Sequence, residues 1–65
     1  MSEKTLVIAA LEHALEEIER SRDMIVTAEL QRNDPNFIFG VLVSARDSAI
    51  AAKLEIEKAL EILKS

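Results

Sequence analysis

Proline occurs once in the chain, at position 35, directly after an aspartate and close to the midpoint of 65 residues. A helix interior cannot accept proline, which has no N–H to donate, but the first position of a helix accepts it readily. Asp34 has the side chain that takes a backbone N–H from the first turn of a following helix. The residue before a proline is pushed out of the α region, so a preceding helix must end by then. Neither proline nor glycine interrupts Ser2 to Asn33. The chain therefore reads as one domain, residues 1–65, of all-α class. Helix covers about 2–33, a turn lies at 33–35, and a second helix covers about 35–64. At ~1.5 Å per residue each helix is roughly 45 Å long, and a connection this short makes them an antiparallel hairpin.

Helical periodicity supports both halves. Ser2 suits an N-cap and Glu3 the first turn, where the helix dipole favours an acid. Val7, Leu11, Ala14, Ile18, Ser21, Ile25 and Ala28 form one row, and Ile38, Leu42, Ala45, Ala49, Ala52, Ile56, Ala59 and Leu63 form the other. Folding at Asp34 makes facing residue numbers sum to about 68. Leu11 then meets Ala59, Ile18 meets Ala49 and Ala52, and Ile25 meets Ala45 and Leu42. This places large against small across a near-parallel, coiled-coil-like seam. The segment from Phe37 to Val43 is aromatic and β-branched, which favours strand on propensity, and Gly40 costs a helix about 1 kcal/mol. The row nevertheless runs through it without slipping, so helix is expected.

Apolar residues remain outside these rows. Leu15, Val26, Leu30, Phe37, Phe39, Val43, Ile50 and Leu54, with Ile8 beside them, form a second stripe that one hairpin cannot cover. A patch of this size calls for a partner. The expectation is self-association into a four-helix bundle, a homodimer first and a larger symmetric bundle next. A heterologous protein is the other candidate for the same surface.

Charge and composition narrow the remaining classes. Twelve acids against eight bases give a net charge of −4, which disfavours nucleic acid and anionic membrane as partners. The opening Met1-Ser2-Glu3-Lys4 is unlike a secretion signal, and no apolar run approaches the ~20 residues that span a bilayer. A soluble, cytoplasmic protein is expected. There is no cysteine to form a disulfide.

Few residues suggest chemistry. His13 with Glu16 and Glu17 is a weak metal-binding candidate, since the order is His-x-x-Glu, there is one histidine, and the group falls on a polar arc. No cofactor is implied. Arg22-Asp23 and Arg46-Asp47 repeat a dipeptide at matching heights, so Arg22 to Asp47 and Arg46 to Asp23 are expected as cross-helix pairs that set register. Ser21, Ser44 and Ser48 have no histidine base within reach, so no catalytic set is expected. The function this reading supports is structural: a homo-oligomerising hairpin acting as scaffold, adaptor or designed assembly unit. The alternative is a regulatory bundle that binds a small ligand, an anion or a metal through the Arg/Asp groups or the His13 cluster.

Overall fold

The computed structural model describes residues 2–64. Two helices make up the fold, α1 from Glu3 to Leu30 and α2 from Pro35 to Lys64, packed along their whole length. Ser2 caps α1, its hydroxyl oxygen accepting the Thr5 N–H at 3.2 Å. Asp34 caps α2 in the same way: its carboxylate accepts the Phe37 N–H at 3.2 Å, and its carbonyl accepts from Ile38. Proline at the next position loses nothing by lacking an N–H, because the first-turn donors have no helical acceptor. The segment from Phe37 to Val43 is helical, as the periodicity required.

The first helix ends earlier than the sequence suggested. Its last helical hydrogen bond runs from the Gln31 N–H to the Thr27 carbonyl, and Asp34 N–H to Gln31 carbonyl at 3.0 Å closes a turn over 31–34. Gln31, Arg32 and Asn33 bring no apolar side chain to the seam, so packing gives no support for another helical turn, and the reversal uses these residues. Among the described residues none has a positive φ, so the reversal needs no glycine.

The seam itself differs from the expected one. The seam is formed by Val7, Ala10, Ala14, Glu17, Ser21, Met24 and Ala28 of α1, all buried or half-buried. From α2 it takes Ile38, Val41, Ala45, Ser48, Ala52, Glu55, Ala59 and Ile62, and Ala9, Val43 and Ala51 are half-buried outside these two rows. Spacings of three and four alternate strictly, giving the 3.5-residue period of helices that pack side by side. The large members of the expected rows lie outside: Leu11 is 50% exposed, Ile18 48%, Ile25 50% and Leu63 69%. Each helix is thus turned by about 50° from the predicted orientation, taking 100° per residue. Alanine and serine supply every fully buried position, and most of the bulky residues flank the seam. The physical reason is close approach. Ser21 Oγ donates to the Ala45 carbonyl at 3.0 Å, a contact that only narrow side chains between the helices permit.

The result is thin. The fully buried hydrophobic residues are six alanines, and among the described residues no large side chain is completely enclosed. The hairpin measures 48 × 13 × 13 Å over its Cα atoms, with a radius of gyration of 14.9 Å against about 11 Å for a compact domain of this length. Among the described residues no helix is long and apolar enough to cross a membrane.

Candidate interaction surface

Turning the seam toward its alanines gives the hairpin two unlike broad faces. By the helical wheel, positions one and four residues after Val7, Ala14 and Ser21 project to one side of the seam, together with their counterparts on α2. That side carries Ile8, Leu11, Leu15, Ile18, Arg22, Ile25 and Glu29 from α1. From α2 it carries Phe39, Leu42, Arg46, Ala49, Lys53, Ile56, Leu60 and Leu63. Ile18, Ile25, Ala49 and Ile56 line a shared groove along its middle, floored by Ser21 and Ala52 and edged by Arg22, Lys53 and Glu57. Lys53 Nζ lies 3.8 Å from Glu57 Oε1 at that edge.

The opposite side is polar. Glu16, Glu19, Arg20, Asp23 and Thr27 line a cleft there, with Met24 and Val41 at its base. Arg20 donates to Glu17 at 2.7 Å, drawing that half-buried carboxylate out of the seam toward the polar face. Phe37 belongs to this side too, beside Met24, Gly40, Val41 and Ser44.

The residues assigned to an oligomer interface from sequence do not share one face. Leu15 and Phe39 lie on the apolar side. Phe37 lies on the polar one, Val26 and Leu30 border a hollow near the turn with Arg32 and Asn33, and by the helical wheel Ile50 points away from α1 while Leu54 lies toward the polar side. Val43 is half-buried, and the other seven are exposed. The broader apolar surface is formed by the residues that the sequence reading put inside the seam. The residues repeated every seven, Ala14, Ser21 and Ala28 with Ala45, Ala52 and Ala59, belong to both the expected and the observed seam, so they mark where the helices touch without choosing the row that completes the contact.

The proposed cross-helix pairs are not formed. Arg22 lies 3.9 Å from Asp23 and Arg46 lies 3.4 Å from Asp47, each within its own dipeptide and well exposed. Consecutive helical residues diverge by ~100°, so an arginine and the aspartate after it point to different sides of the hairpin and cannot both reach across. What the fold does bring together is Arg22 and Arg46, on the same apolar side and at nearly the same height, since Ser21 meets Ala45. His13 and Glu16 are exposed while Glu17 is taken up by Arg20. Among the described residues no group of three histidine, cysteine or acidic side chains is placed to hold a metal ion. Glu55 is half-buried in the seam, with Oε2 enclosed and without a hydrogen-bond partner.

Compared with protein-family models, with curated proteins and with solved structures, the chain has no match. Any reading of function therefore rests on the surface just described.

Proposed function

We propose that this chain is an assembly module: a helical hairpin that pairs with a second copy through its apolar side and serves as a scaffold or adaptor, not as an enzyme. The observation that carries this reading is the distribution of bulk. The fully buried positions of the seam are alanines and one serine, while sixteen large hydrophobic residues among those described are exposed. Burying a leucine, isoleucine or phenylalanine contributes roughly 1.5–3 kcal/mol against well under that for an alanine methyl. Most of the stabilising capacity of the sequence is therefore left unused in a single hairpin.

The accessible surface points the same way. It amounts to 5090 Å² for a chain of 7.2 kDa, about 1,000 Å² more than the ~4,100 Å² of a compact monomer of that mass. A stable interface removes about 800 Å² from each partner. The surplus is of the size that one interface consumes. Thermal melts followed by circular dichroism at protein concentrations spanning a hundredfold range test the proposal. Coupled folding and association makes Tm rise with concentration. A Tm independent of concentration contradicts it.

A further inference from the structure

We propose that the two copies stack apolar side to apolar side with their turns at opposite ends, so that each α1 lies antiparallel on the α1 of its partner. This inference rests on the self-association proposed above and adds its geometry. Two layered hairpins related by a two-fold axis have two arrangements. If the axis runs along the hairpin, both turns lie at one end and α1 faces the partner's α2 at equal height. If the axis crosses the hairpin, the turns lie at opposite ends and like helices face each other.

The charges on the apolar side distinguish the two. Ser21 meets Ala45, so Arg22 and Arg46 differ in height by about two residues, roughly 3 Å along the axis. Turns at the same end would bring four guanidinium groups to one level within an otherwise apolar interface, and like charges facing each other are strongly penalised. Turns at opposite ends separate the two arginine pairs. With the midpoints of Glu3–Leu30 superposed, the numbers of facing α1 positions sum to about 33. Lys4 then faces Glu29 of the other copy, and Arg22 comes level with Leu11, along whose side chain its methylenes can lie. Ile8 faces Ile25 and Leu15 faces Ile18, so apolar residues meet apolar ones between the charged pairs. On the α2 side Arg46 comes level with Lys53, whose ammonium already lies 3.8 Å from Glu57. The two-fold axis makes this like-charge meeting occur twice, but each Lys53 is partly compensated by its own Glu57, so the penalty is smaller than that of a ring of four arginines.

The experiment is a distance measurement. The chain has no cysteine, and Asn33 is exposed in the turn, so Asn33→Cys takes one nitroxide label per copy. Pulsed dipolar spectroscopy on the dimer should give a separation approaching the 48 Å hairpin length. A separation under about 20 Å, the spacing of adjacent helices in a bundle with labels attached, overturns the antiparallel arrangement while leaving self-association intact. A monomeric mass for the labelled and unlabelled protein overturns both. Charge reversal gives an independent check. Lys4→Glu should raise the dimer dissociation constant about threefold, and adding Glu29→Lys should restore it to near the wild-type value. A double variant no better than Lys4→Glu contradicts the Lys4–Glu29 pairing.

Discussion

The hydroxyl of Ser21 donates to the main-chain carbonyl of Ala45 on the facing helix, at 3.0 Å. A side chain with one carbon before its oxygen reaches a neighbouring backbone only where the helix axes approach at the lower end of the usual 8–10 Å range. This contact, flanked by Ala14, Ala28 and Ala52, defines how thin the seam is.

A bulky residue at that point should not fit. Ser21→Leu is expected to lower stability by about 1–3 kcal/mol through overpacking. Ser21→Ala should change it by no more than about 0.5 kcal/mol, because the lost hydrogen bond is offset by better helix propensity. Urea denaturation of the two variants measures the difference. A leucine tolerated as well as alanine would show that the seam is not closely packed.

Gly40 lies inside α2 with open space where a Cβ would be: nothing comes within 4 Å. Gly40→Ala should therefore stabilise the fold by about 1 kcal/mol, from helix propensity and the restricted unfolded chain. A loss of stability in the same denaturation experiment would mean that the glycine serves a close contact absent from the single hairpin.

Glu55 occupies a seam position with one carboxylate oxygen enclosed and unpartnered. Replacing such a group by an apolar residue of similar length removes a desolvation cost. Glu55→Met is expected to stabilise the protein by about 1 kcal/mol, and Glu55→Gln much less, because the amide is still polar in the same place. Equal effects of the two would show that charge, not unsatisfied polarity, governs this site.

Much of the fold was legible because it depends on local chemistry. Asp34-Pro35 specified the reversal, Ser2 and Asp34 act as caps, and unbroken helical periodicity specified the two rods and overrode the strand propensity of Phe37 to Val43. The orientation of the rods about their own axes was not legible from hydrophobicity alone. A row containing Leu11, Ile18 and Ile25 scores higher than one containing Ala10, Glu17 and Met24, yet the second row is the seam. Close packing of alanine and serine outweighs the burial of larger residues in a two-helix contact, since each rod has only one neighbour. The Arg22-Asp23 and Arg46-Asp47 pairing failed for a related reason. Height along the seam was read to within about two residues, but the ~100° between successive residues sends the arginine and the aspartate to different sides.

The central claim is that the apolar side is covered by a second copy of the chain, and sedimentation equilibrium tests it most directly. The protein is predicted to sediment at twice its 7.2 kDa chain mass, and a variant carrying Ile18→Asp and Ile56→Asp, two residues lining the central groove, at the single-chain mass. A folded wild-type protein with the single-chain mass across the micromolar range would contradict the account.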